Sequence, residues 1–368
     1  MKVVWPISLI FILSLGILVS CNDEENPIIT DSFDRGTMLE DWADLIIIPA
    51  FTTYQEKLNA LQAAQNSFQV EATVSSLQSL REAYLSAYKA WQGVAMFDIG
   101  KAEQIGLRNY TNIFPTDVES IEENVASQIY NLELPSTWAV QGFPALDYLL
   151  FGLSESADEV LSLLESSGYS LYLEALVFRL VHISGEVITD WQGAYRESFI
   201  TNDGASATAS VDKMVNDYLF YYERFLRAGK IGIPAGVFSG NTLPESVEAY
   251  HSNIYSKELF LESLDAVEDF FLGISHDGNT QGQSLESYLI HRANEAMTAN
   301  VAPDILMQFD LARTRASALT DSFSEQVISD NSKLLETYDE LQKAVVLMKV
   351  DMMQAFNIQV DYVDADGD

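Results

Sequence analysis

The sequence predicts an all-α protein made of two packed helical bundles, and three observations carry that expectation. Apolar residues recur at three- and four-residue spacing along five separate stretches. Strand-type alternation is nowhere sustained for more than a few residues. Gly-, Pro- and Asn-rich breakers separate the stripes, and the roughly ten helices they delimit exceed a single four-helix bundle.

The chain divides in order. Residues 1–20 have a basic start, an apolar middle and small residues at the end, which is a secretory signal peptide. Leu18-Val19-Ser20-Cys21 fits the bacterial lipobox, in which Cys21 takes the lipid and the signal is removed before it. An ordinary signal peptide that carries a cysteine is the competing reading. A spanning helix fits less well, because the run is short and no basic cluster follows it. Residues 21–36 form an acidic tether. Its start, Asn22-Asp23-Glu24-Glu25-Asn26-Pro27, resembles the signal that sends Bacteroidetes-type lipoproteins to the outer face of the outer membrane; a plain solvated linker is the alternative. A multi-chain lipid group would anchor the protein stably.

Residues 37–167 are read as the N-terminal bundle. Its clearest stripe is Leu77, Leu80, Tyr84, Ala87, Tyr88 and Trp91. Breakers lie at 98–115 and 135–137, with Ser136 or Thr137 as a helix start. Residues 168–356 are read as the C-terminal bundle, and the boundary between the two falls between Gly168 and Gly204. Stripes here are Leu173, Leu176, Val177, Leu180, Ile183, Val187 and Trp191; then Val215, Leu219, Tyr222 and Leu226; then Phe260, Leu264, Val267 and Phe271. A last stripe joins Leu334, Leu335, Tyr338, Leu341, Val345, Leu347, Met348 and Met352. Ser284 before Glu286 is a further helix start. Residues 357–368 are an acidic tail. Asp364-Ala365-Asp366-Gly367-Asp368 resembles half a calcium loop but lacks the bidentate glutamate that would close the cage.

About 330 residues follow the tether, enough for two cores. With 48% hydrophobic and 20% charged residues the chain is globular rather than disordered. A formal charge of -34 excludes nucleic acid as a partner and disfavours lying flat on an anionic membrane. The acidic surface serves solubility or, on a sharper reading, concentrates cations such as iron or calcium. Cys21 is the only cysteine, so once lipidated it leaves no thiol for a disulfide or thiolate metal site.

Four histidines are present, His182, His251, His276 and His291, none with zinc-hydrolase spacing. His182, Glu186 and Asp190 share one helical face and could hold a metal, as could His291 with Glu295; solvated side-chain contacts are the plainer reading. The segment Gln141-Gly142-Phe143-Pro144-Ala145-Leu146-Asp147 is different. Gly142 and Pro144 favour a bend into a helix. Asp147 then sits in its first turn within an apolar run, so it is expected to be partly buried and must find a partner. A site acid and a structural cap are both open at this point.

This segment resembles the Gly-x-His-x-x-Glu signature of the imelysin family. Further likeness extends over residues 37–368. It includes Phe97-Asp98-Ile99-Gly100, Phe114-Pro115-Thr116-Asp117, Lys230-Ile231-Gly232-Ile233-Pro234-Ala235-Gly236, the stretch from Glu248 to Ser256, and Leu347-Met348-Lys349-Val350-Asp351. The resemblance implies two helical bundles, a site cleft where they meet and a role in bacterial iron uptake. It departs from the signature where the chemistry would be. Pro144 stands at the histidine and Asp147 at the glutamate, and a proline can neither ligate zinc nor act as a base.

The lipobox and the acidic signal lead to an outer-membrane lipoprotein of the cell envelope, with surface exposure and a periplasmic face both open, and the departure from the signature leads to a non-catalytic one. Iron or haem is its expected ligand and an outer-membrane iron or haem receptor its expected partner. By motif, Gly142, Asp147, Asn216, Glu223, Ser252 and Ser256 line the cleft. Asp147, His182 and Glu186 are the candidate metal ligands. A metallopeptidase with a non-standard metal site, drawing on His182, Glu186 or His251, is the alternative, and a purely structural adhesin a third.

Overall fold

Helix Ile48–Val70 packs against both Val74–Gln92 and Ser167–Asp190, and these three rods frame the N-terminal half. The computed structural model describes Met1 and residues 31–363. The signal peptide, Cys21, most of the tether and residues 364–368 lie outside the described residues. No helix among the described residues is long and apolar enough to cross a membrane. Residues Phe33–Asp368 form one compact unit. Among the described residues the regular elements are all helices, with one isolated bridge between Ile274 and Gln281.

Local chemistry explains the starts. Asp34 caps Arg35–Asp41 by accepting from the Thr37 backbone N–H at 3.0 Å. Thr73 and Ser76 form a reciprocal capping box on Val74–Gln92. Ser284 caps Leu285–Ala296 in the same way, with Ser287 as its partner. Near Ser136 the chain forms only the short 3-10 helix Pro135–Val140. Residues 98–164 break into more pieces than the stripes suggest, among them Lys101–Ile105, Leu107–Thr111, Val118–Ser127, Gly142–Asp147 and Ala157–Leu164. Glycine and proline interrupt the pattern there.

The second group of helices comprises Ser210–Phe220 continuing into the wider turns of Tyr221–Gly232, then Ser256–Leu272, Ala302–Ser317 and Ser332–Val346. Helix Ser167–Asp190 packs with the N-terminal rods, so that group reaches past residue 167. The chain passes to the second group through Trp191–Tyr195 and Arg196–Thr201. The segment before the N-terminal rod crosses the other way: Trp42 lies 4.9 Å from Phe270 and Phe33 stacks on Tyr288 at 4.5 Å.

The stripes read from the sequence are the core, with two exceptions. Leu335 is exposed and Leu347 half-buried, because the helix turns those positions away from Leu334 and Met348. Fully burying one such Leu or Phe contributes about 1.5–3 kcal/mol. A single hydrophobic cluster runs from Met38 to Ile358 through both groups, which meet where Ser256–Leu272 packs on Val74–Gln92.

Candidate functional site

The short helix Gly142–Asp147 lies against Val74–Gln92 and Ser167–Asp190, and its tight start depends on Gly142. Gly142 has φ +74, and a Cβ there would press into the Thr111 carbonyl oxygen. At the far end, Asp147 is buried and reaches across to the loop after Val247. Its carboxylate accepts from the His251 N–H at 2.7 Å, the Ser252 N–H at 3.2 Å and the Tyr84 hydroxyl at 3.3 Å. The loop is shaped for this: Ala249 and Asn253 both have positive φ, and Ser252 Oγ closes the turn on the Ala249 carbonyl at 3.0 Å. Two successive amides thus form an anion-binding nest around Asp147. Burial pushes its carboxyl up to about 6, a rise that these donors only partly oppose.

A cavity of about 310 Å³ opens beside this contact, lined by Phe114, Pro144, Asp147, Tyr250 and His251. Burial holds the His251 imidazole down at about 4, so it is neutral at ordinary pH. Its ring sits 5.0 Å from that of Tyr148, and Gly152 leaves room for it: a Cβ there would lie 2.6 Å from His251 Nδ1.

The same loop supplies a second buried acid, Glu248. It accepts from Asn112 Nδ2 at 2.7 Å, from Gln92 Nε2 at 3.3 Å and from Lys230 Nζ in a close ion pair. Tyr88 donates to Asn112 at 2.7 Å, and Ser263 donates to Gln92 at 2.8 Å. Ser256 Oγ bonds the Glu248 carbonyl at 2.9 Å. Nearby, Arg108 bonds Asp217 at 3.0 Å and lies 3.8 Å from Asp98. Burial also raises Asp217 to about 6, with Arg108 opposing. Sequence reasoning left this network out of its site residues. Lys230, between Ala228 and Ile231, carried the one local signal; nothing beside Glu248 in the chain marks it.

The residues expected to line the cleft separate into two places. Gly142, Asp147, Ser252 and Ser256 gather at the contact just described. Asn216 and Glu223 instead hold the C-terminal segment. Asn216 bonds the Gln359 carbonyl at 3.1 Å and the Asp361 N–H at 3.1 Å, and Glu223 accepts from the Tyr362 hydroxyl at 3.0 Å. Residues 357–363 are therefore pinned to the body rather than extended as a tail.

His182 and Glu186 lie 3.4 Å apart, largely exposed, in an open groove of about 700 Å³ that also includes Phe178 and Asp190. That groove shares no residue with the cavity at His251. Among the described residues, one set of three metal-ligating side chains converges, Asp31, His291 and Glu295. Glu295 there also pairs with Arg292 at 2.9 Å.

Comparison with known proteins agrees with this fold. The imelysin family model matches residues 47–348. An imelysin-like protein from Psychrobacter arcticum 273-4 superposes with TM-score 0.68 at 19% identity, over 89% of this chain and 97% of that one. A candidate iron-regulated protein A precursor from Parabacteroides distasonis gives TM-score 0.69 at 16% identity, over 88% of this chain and 95% of that one. Both show the same fold. Iron-regulated protein A of Synechococcus elongatus is 22% identical over 126 residues; the aligned part spans 34% of this chain and 34% of that relative.

Proposed function

The chain belongs to the imelysin family, and from that premise we propose that it is a non-catalytic, surface-anchored binding component of bacterial iron or haem acquisition. The observation that carries the non-catalytic part is the state of Asp147. Its carboxylate is taken up by two loop amides and a tyrosine, and the residue one turn before it is Pro144. A hydrolytic metal centre needs several convergent ligands with one open position. Here the cavity offers one neutral imidazole, His251, and two acids, Asp147, already occupied, and Glu245, which is exposed. That arrangement suits binding by shape between two helix groups better than activation of a water.

The iron part rests on two relatives named as iron-regulated protein A. The acidic charge of -34 favours accumulation of cations at the surface. Cys21 is proposed as the lipidated residue, and an outer-membrane receptor as the partner that would receive the ligand.

The test is a titration of the full-length chain in detergent with ferrous iron, ferric iron and haem, alongside elemental analysis of protein prepared without chelator. Saturable binding of one of the three, with no peptidase activity, is the expected result. Stoichiometric zinc that disappears in His182→Ala would instead support the metallopeptidase alternative. If none of the three binds, the iron reading is abandoned. Labelling of the wild type but not of Cys21→Ser by radioactive palmitate tests the anchor.

A further inference from the structure

On the other side of Phe114 lies a smaller cavity of about 150 Å³, close to the volume that holds a benzene-sized ring in a protein interior. Trp91, Phe114, Tyr221 and Phe225 contribute to its walls, and three cations reach it: Arg108, Lys230 and Arg224. Two of these are already neutralised. Arg108 is held by Asp217, Asp98 and the Ala95 carbonyl, and lies over the Phe225 ring at 4.7 Å. Lys230 is held by Glu248 and by Gln92 at 3.0 Å.

Arg224 is unlike both. Ten arginines are present against 54 acidic residues. Among the described residues, Arg224 is the one arginine with no hydrogen bond, ion pair or ring contact, though acids outnumber bases nearly three to one. The same cavity has a second unspent donor. Tyr221 is buried, and its hydroxyl makes no hydrogen bond. Burial raises the phenol well above its usual range, so it stays protonated and can donate.

A guanidinium offers only donors, in a fork that matches a carboxylate. Aromatic walls favour a flat apolar body. We propose that this cavity is a ligand site for a small organic carboxylate with a planar, apolar body, whose carboxylate is held by Arg224. The inference does not depend on the iron reading, since no metal enters it.

The probe is benzoate, titrated calorimetrically into the full-length chain in detergent, with benzamide as the neutral isostere. Saturable one-to-one binding is expected, about tenfold weaker for benzamide and about tenfold weaker in Arg224→Gln. Arg224 is exposed, so this variant should keep the wild-type Tm. Tyr221→Phe should weaken benzoate about threefold, the share of one neutral hydrogen bond. The proposal is overturned if benzoate shows no saturable binding up to about 10 mM. It is equally overturned if benzamide binds as well as benzoate, or if Arg224→Gln leaves the affinity unchanged.

Discussion

Asp147 and Glu248 are both buried carboxylates at the contact between the helix groups, yet they are held by opposite means. Asp147 has neutral donors alone, two loop amides and a tyrosine hydroxyl. Glu248 has a lysine and two side-chain amides. A neutral setting leaves the desolvation cost largely standing, which is why Asp147 rises to about 6. A cation placed in contact compensates the buried charge directly. The two acids come from elements that touch, so the contrast lies in their partners rather than their depth. Asp147 is a connection that pH can change, while Glu248 is a joint built on an ion pair.

The largest expected effect comes from breaking the ion-paired joint. Glu248→Ala strands Lys230 in the interior along with the Asn112 and Gln92 amides, and should cost about 3–5 kcal/mol in urea unfolding. A loss below about 1 kcal/mol would remove the distinction between the two acids.

Next in size is the pH dependence of Asp147. Its folded pKa lies above its unfolded value of about 3.9, so protonation favours the native state. The stability this provides is fully present below about pH 4 and is lost as pH rises through about 6, by up to about 3 kcal/mol. Asp217 slopes the same way and His251 the opposite way, so the useful quantity is the difference between wild type and Asp147→Asn. Wild type should gain on that variant as pH falls from about 7 to about 4. A flat difference would mean that Asp147 does not titrate in this window.

How much of this was legible in the sequence depended on range. The stripe Leu77 to Trp91 could be read because burial on one helix face leaves a local period. The burial of Asp147 could be read from its apolar neighbours. Its partners could not, because His251 and Ser252 lie more than 100 positions away. The Glu248 joint was invisible for the same reason: Asn112 and Gln92 are 136 and 156 positions distant. Asn216 and Glu223 were placed at the cleft by motif, but a motif records residue type and not direction; their side chains point to Gln359, Asp361 and Tyr362.

A smaller effect separates the two acids by geometry. Gly142→Ala forces a Cβ against Thr111 at positive φ, costing about 1–3 kcal/mol. The clash falls between the helix that carries Asp147 and the Thr111 carbonyl, so amide hydrogen exchange should quicken at His251 and Ser252 while the Gln92 side-chain amide, the other donor to Glu248, stays protected. Equal quickening at both would show that the two acids open together.

The smallest effect is the most discriminating. If the Glu248 joint holds because its charge is matched, then removing both charges together should do far less harm than removing one. Glu248→Gln leaves an acceptor for Asn112 but strands the Lys230 ammonium; Lys230→Met strands the carboxylate. Combined, the two changes keep the volume and leave no net buried charge, so the double variant should lie within about 1 kcal/mol of wild type, against a single-variant loss of about 3 kcal/mol. Asp147 has no charged partner and hence no second site at which its loss could be repaired in this way. A double variant as unstable as the sum of its parts would mean that Glu248 is held by its amide donors, as Asp147 is, with Lys230 incidental to it.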